Sequence, residues 1–209
     1  MNVIVFGATG SVGRLAVAQM LDRGHRVTAF ARRPDRLDLD HPDLHRVAGD
    51  AEDAIAVAAA VQGQDAAVVV LGAGMSRTGQ VRSKGTLNVI HAMQRHGVRR
   101  LICQSTLGAH DSWPNLNAIW KYVMFGALLR PVFKDHERQE DMVRASGLDW
   151  TIVRPGAFTD DPSGGPVREA FGPEERGLHL KISRADVAAF LARELSDRRY
   201  AGQAVAVSS

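Results

Sequence analysis

Chemistry in this chain is most legible at a few short stretches. Gly7, Gly10 and Gly13 recur at every third position in Gly7-Ala8-Thr9-Gly10-Ser11-Val12-Gly13. Gly7 suits a tight turn off a strand, Gly10 lets backbone N–H groups approach a pyrophosphate, and Gly13 lets the next helix lie close on a sheet. Further on, Ala31-Arg32-Arg33-Pro34-Asp35-Arg36 closes an apolar run with no acid at its end. At that point of a dinucleotide site an acid would bind the ribose 2′-hydroxyl of NAD, whereas arginine accommodates the 2′-phosphate of NADP. Guanidinium pairs well with phosphate, so the position favours that reading over a solvated basic turn. Asp50, after Gly49, stands where an adenine-edge contact falls, although capping of the following helix explains it equally well. Ser105 ends another apolar run, at the carboxyl edge where the sites of open α/β sheets gather. His136 shares a helix face with Val132, Gln139, Val143 and Ser146, which points it inward; such a histidine is more often a packing group than a catalyst.

These positions require strands and helices in alternation. Asn2–Phe6 reads as a strand buried on both faces, and Arg14 to about Arg23 as the helix whose dipole would face the phosphates. A second strand, His25–Phe30, is entered through Gly24, and a third spans Leu44–Ala48. An alanine-rich helix over Asp53–Val61 leads to Asp65–Leu71, an apolar run typical of a central parallel strand. Small residues follow it, Gly72-Ala73-Gly74, leaving room for a ligand. The spacing predicts a helix over Val81–His96 capped by Gly97, a strand over Arg99–Gln104, a helix over Asp135–Ser146 and a strand over Asp149–Val153. An irregular stretch runs from Pro155 to about 178, then a helix over Asp186–Leu195 capped by Ser183, and a strand over Gln203–Val207. Trp113–Phe133 is apolar and aromatic, either a wall for a flat substrate or a cover for the sheet edge or a subunit contact. The expected fold class is α/β: one Rossmann-like, doubly wound parallel sheet with helices on both faces, a single domain over 1–209.

Composition narrows the function. The 209 residues are 45% hydrophobic, enough for one large core. A net charge of +3, with basic residues scattered as short pairs, makes a weak nucleic-acid footprint. The one cysteine, Cys103, excludes an intrachain disulfide and a multi-cysteine zinc site, so no metal is expected. The apolar stretch Ala118–Leu129 is interrupted by Lys121 and too short to span a bilayer, and no basic leader precedes the first strand. The expectation is a cytoplasmic domain without membrane or nucleic-acid partners.

The glycine motif, Gly49-Asp50, Gly85-Thr86-Leu87-Asn88, Gly97-Val98, Ser105-Thr106 and Ser146-Gly147-Leu148-Asp149-Trp150-Thr151-Ile152-Val153-Arg154-Pro155-Gly156 together resemble the atypical short-chain dehydrogenase/reductases. Within them the chain is most similar to the NAD(P)H-binding, NmrA-like proteins and the biliverdin reductase B/flavin reductase type. The resemblance implies NADP(H) as cofactor. Gly7, Thr9, Gly10, Ser11, Val12 and Gly13 would line its pyrophosphate, Arg32 and Arg36 its 2′-phosphate, and Asp50 and Ala51 its adenine. Leu71, Gly72 and Ala73 would lie under the nicotinamide ribose, Ser105 beside the nicotinamide, and His136 on the active-site helix.

Two departures bear on the chemistry. No Tyr-x-x-x-Lys dyad is present, since Tyr122 is followed four residues later by Gly126. The loop after Pro155 reads Gly156-Ala157-Phe158, without the substrate-side histidine of some biliverdin-type relatives. The expected function is an NADPH-dependent reductase passing hydride to a flat conjugated acceptor (a flavin, a quinone or a tetrapyrrole), with Ser105 and His136 at the reacting end. The alternative is a non-catalytic NADP(H) sensor of the NmrA kind; isomerase or epimerase chemistry would ordinarily need the tyrosine. A monomer or weak homodimer is expected.

Overall fold

The computed structural model describes residues 1–72, 80–162, 164, 166–175 and 179–209. Ala73, expected under the nicotinamide ribose, lies outside them, as does part of the expected substrate-side loop. The chain runs β1 (Asn2–Phe6), α1 (Gly13–Asp22), β2 (Arg26–Ala31), β3 (Leu44–Ala48), α2 (Ala54–Val61), β4 (Ala66–Val69), α3 (Val81–His96) and β5 (Arg100–Gln104). After a 3-10 segment, His110–Asn115, and a π-helix, Ile119–Leu128, come α4 (Arg130–Ala145), β6 (Asp149–Pro155), β7 (Ala157–Thr159), β8 (Arg168–Glu169), β9 (Lys181–Ser183), α5 (Arg184–Arg193) and β10 (Gln203–Ser208).

The main sheet has the order β3-β2-β1-β4-β5-β6-β10-β8. All its pairs are parallel except β10 with the two-residue edge strand β8. β7 and β9 form a separate parallel pair. Alternation along β1 explains the two layers. Val3 and Val5 face one way, into a core shared with Ala16, Val17 and Met20 of α1 and Val187, Phe190 and Leu191 of α5. Ile4 and Phe6 face the other, onto Val57 and Val61 of α2, Val89 and Met93 of α3, and Val143 of α4. The sheet is therefore doubly wound, as its alternating strands and helices predict.

Several caps fall where the sequence places them. Gly97 ends α3 in the left-handed region, and the Ser183 hydroxyl accepts from the Asp186 N–H at 3.0 Å at the start of α5. Asp53, rather than Asp50, caps α2, accepting from the N–H groups of Ile55 and Ala56. α4 begins earlier than periodicity indicates, at Arg130, because Pro131 pre-sets its first turn. The supposed loop after Pro155 contains the short strands β7 and β8.

Candidate active site

β1 and β4 lie side by side, yet the chain leaves β1 towards β2 and β3 and leaves β4 towards β5 and β6. At the carboxyl ends of such a switch point a crevice must open. A cavity of about 870 Å³ lies there. One end is bordered by Gly7, Thr9, Gly10, Ser11, Val12, Phe30, Ala31, Arg32, Gly49, Asp50, Ala51 and Glu52. Val70, Leu71, Gly72, Gln104, Ser105 and Thr106 border the middle. The other end is bordered by Leu116, Trp120, Phe125, Leu129, Val132, His136, Pro155, Ala157, Phe158, Leu180, Arg82 and Arg184, among others.

The first end fits a dinucleotide on its own geometry. Gly7 has φ +89°, and a Cβ there would fall 2.6 Å from the Val70 carbonyl oxygen. A Cβ on Gly13 would fall 2.2 Å from the Gly7 oxygen, so α1 can close onto the turn only with glycine at that place. Gly13 packs in this way and does not itself border the cavity. α1 has neither a side-chain cap nor an acidic residue in its first turn, which suits an anion at its amino end. Arg32 borders the cavity with its side chain exposed; Arg36, in the 3-10 turn Pro34–Arg36, does not border it. Asp50 borders it too, its carboxylate accepting from the Glu52 N–H at 3.0 Å.

The two residues expected at the reacting end both border the cavity with unpartnered atoms. Ser105 is 2% exposed and its Oγ has no hydrogen-bond partner among the described residues. His136 is 8% exposed, its Nδ1 likewise unpartnered. Burial, with the nearby Arg82 charge, lowers its pKa from 6.5 to about 3, so the imidazole is neutral at physiological pH. Cys103 is wholly buried, and desolvation raises its thiol pKa far above the usual range; it packs and does not react. Among the described residues no cluster of three or more His, Cys, Asp or Glu could hold a metal, and no helix is long and apolar enough to cross a membrane.

The aromatic segment divides between the two roles expected of it. Trp120, Phe125 and Leu129 border the cavity, whereas Trp113 packs behind them on Phe133 at 5.4 Å. Phe125 stacks on Phe133 at 4.6 Å and tilts against Trp120 at 5.4 Å. On the outer side of the π-helix, Ile119, Tyr122, Val123 and Leu128 are exposed.

Sequence reasoning missed the ion network that holds this end together. Arg154, buried at the end of β6, donates from Nε and Nη2 to Glu140 at 2.9 and 2.6 Å, and from Nη1 to Asp111 at 2.9 Å. Both side chains of the Arg154–Glu140 pair are essentially inaccessible to water, at 2% and 0% exposure. The two carboxylates hold the Arg154 guanidinium above its ordinary pKa against the opposing effect of burial. Glu140 lies one turn beyond His136, so the pair ties the histidine's helix to the strand beside the cavity. Arg82 was missed as well. Its one sequence signal is a cation in the first turn of a helix, where the dipole disfavours positive charge.

Comparison with known proteins agrees with this geometry. The NAD(P)H-binding family profile matches residues 7–198. An uncharacterized sugar epimerase of Bacillus subtilis, YhfK, is 30% identical over 207 residues, covering 95% of this chain and 89% of that protein. The anaerobilin reductase ChuY of Escherichia coli O157:H7 is 27% identical with a TM-score of 0.82, covering 100% of this chain and 97% of the other. A short-chain dehydrogenase/reductase of Veillonella parvula, solved in complex with NADP, shares the fold at 19% identity with a TM-score of 0.83, covering 100% and 94%. The chain belongs to the NAD(P)H-binding family.

Proposed function

We propose that this chain is an NADPH-dependent reductase delivering hydride to a flat conjugated acceptor such as a flavin, a quinone or a linear tetrapyrrole. The observation that carries the reading is a cavity whose dinucleotide end continues into an aromatic-walled end where, among the described residues, His136 is the titratable candidate and is neutral at physiological pH. Gly7, Thr9, Gly10, Ser11 and Val12 would hold the pyrophosphate, with Gly13 packing beneath them, and Arg32 the 2′-phosphate. Asp50 and Ala51 would border the adenine, and Leu71, Gly72 and Ser105 the nicotinamide riboside. When bound, NADPH supplies the hydride. Trp120, Phe125 and Leu129 exclude water and keep the acceptor's ring flat against the nicotinamide, so that positioning does most of the catalysis. Neutral His136 and the Ser105 hydroxyl can each donate a hydrogen bond to the acceptor.

The electronics select the acceptor. A carbonyl gathers the incoming charge on one oxygen and gains ~10²–10⁴-fold from a positioned acid. A flavin or quinone spreads that charge over its rings, and solvent can supply the proton. The likeness to an anaerobilin reductase supports the reductase class. A second reading, an NADP(H) sensor without turnover, is favoured by the exposed apolar face of the π-helix, which could meet a partner. NADPH consumption measured against FMN, quinones, dyes, aldehydes and ketones separates the two. We expect turnover of flavins or quinones and little with simple carbonyls. Tight NADPH binding with no consumption across the panel would establish the sensor instead.

A further inference from the structure

We propose that Arg82 is an anion-recognition residue of the acceptor end, so that the acceptor carries an acidic group, carboxylate or phosphate, on its flat apolar body. This rests on the reading above that the aromatic-walled end takes the acceptor. Arg82 stands in the first turn of α3, where a cation opposes the helix dipole, and its side chain is only 12% exposed. Such a placement is costly unless the guanidinium is paired.

Its nearest acid does not pair it fully. Asp135 Oδ2 lies 3.9 Å from Nη1, beyond hydrogen-bond range. The same carboxylate already accepts from the Arg82 N–H at 3.1 Å, the Ser83 N–H at 3.2 Å and the Ser83 hydroxyl at 2.5 Å. Asp135 is thus engaged as the cap of α3, and Nε and Nη1 of Arg82 are buried with no hydrogen-bond partner among the described residues. Guanidinium has five N–H donors and no acceptor, so only an acceptor-bearing group can satisfy it.

The surroundings say what that group is. Asp135 ties Arg82 to α4 beside His136 and Val132, which border the apolar end. The acids bordering the cavity among the described residues, Asp50 and Glu52, follow β3; Glu52 lies 3.9 Å from Lys84 Nζ, and neither forms an ion pair with Arg82. The other cation near the acceptor, Arg184, already gives Nη1 to Asp160 at 2.7 Å, which leaves only its Nε buried without a partner among the described residues, against two such atoms on Arg82. Unpartnered Ser105 Oγ and His136 Nδ1 border the same space. An oxyanion arriving beside an apolar ring would complete Arg82, whereas the phosphates of the dinucleotide belong to the glycine turn and Arg32, across β1.

The test compares acceptors that differ by one acidic group, titrated by tryptophan fluorescence into protein saturated with NADP⁺, so that no turnover is needed. FMN against riboflavin reads a phosphate; the propionate derivative of menadione against menadione reads a carboxylate. Wild type should favour the acid of at least one pair by about tenfold or more, the pair identifying the acid. Arg82→Gln should bring that ratio close to one, and Arg82→Lys should restore part of it, with both variants checked by thermal melting. The acid's affinity should also fall as salt is raised. Ratios near one in the wild type, a preference that survives Arg82→Gln, or equal loss of acid and neutral partner would overturn the proposal. So would weakened NADP⁺ binding in place of weakened acid binding. Failure of the reductase reading would show separately, as an acceptor panel without NADPH consumption.

Discussion

The two ends of the cavity are built in opposite ways. At the end proposed for the dinucleotide, the residues bordering the cavity are chiefly those at the ends of β1, β2 and β3 and in the turns after them, with backbone and glycine geometry setting the shape. At the acceptor end the walls come from a π-helix, the first turns of α4 and short strands, and side chains fix their positions: the Arg154–Glu140–Asp111 network and the Trp120–Phe125–Phe133 stack. A backbone-built site is tied to the fold and binds what the fold binds. A side-chain-built site can be altered one substitution at a time, which is how one architecture serves many substrates.

The sharpest way to break this comparison is Glu140→Ala. It leaves Arg154 buried with only the exposed Asp111 as partner, and should cost about 3–5 kcal/mol in denaturant unfolding. In the protein that remains folded, acceptor affinity should suffer more than NADP⁺ affinity. A loss falling mainly on the cofactor would mean that the two ends are not built separately. Arg32→Glu probes the opposite end. It should remove a preference for NADPH over NADH of about 1.5–3 kcal/mol, read by calorimetric titration, and leave the acceptor's KM in place. Equal affinity of the wild type for the two nucleotides would sink the 2′-phosphate assignment.

His136→Ala gives the smallest expected change in rate, about tenfold at most, as for an orienting donor. Ketone reduction abolished by this substitution would instead make the histidine the missing acid. The same residue sets a pH dependence of stability. In the unfolded chain it takes up a proton near 6.5, in the folded one only near 3. Stability from this group is complete above about 6.5 and is lost as pH falls towards 3. The slope of unfolding free energy against pH in that window should flatten in His136→Ala.

What could be read from the sequence follows the same division. The glycine turn, the buried strands, Gly97 and Ser183 declare themselves because each works through neighbours a few residues away. Ser105 was placed by its position at the end of a strand, and it does border the cavity. Arg82 and Arg154 were invisible for the converse reason. Arg82 is defined by Asp135 and Arg154 by Glu140 and Asp111, and each pairing exists only after the chain has folded. Helical periodicity of 3.6 residues does not describe a π-helix, so Ile119–Leu128, which carries Trp120 and Phe125, could not be assigned a face in advance. Arg36 matches the pattern as Arg32 does, and stands exposed in the 3-10 turn Pro34–Arg36, outside the cavity's border.

The place of β10 has a consequence for how the molecule assembles. β10 pairs in parallel with β6, Gln203 opposite Thr151 and Val207 opposite Pro155, and it accepts the Gly156 N–H at the Val207 carbonyl. Ser209 likewise donates to the Lys181 carbonyl beside β9. The cavity wall at Pro155–Ala157 therefore leans on a strand whose Val207 stands opposite Pro155, and parallel pairing demands that the intervening chain be gathered before any bond rewards it. Folding should pair β1 with β2 and β2 with β3 first, Asn2 finding Arg26 and Val27 finding Leu44, and the wall at Pro155–Ala157 should be among the last parts of the protein to exist.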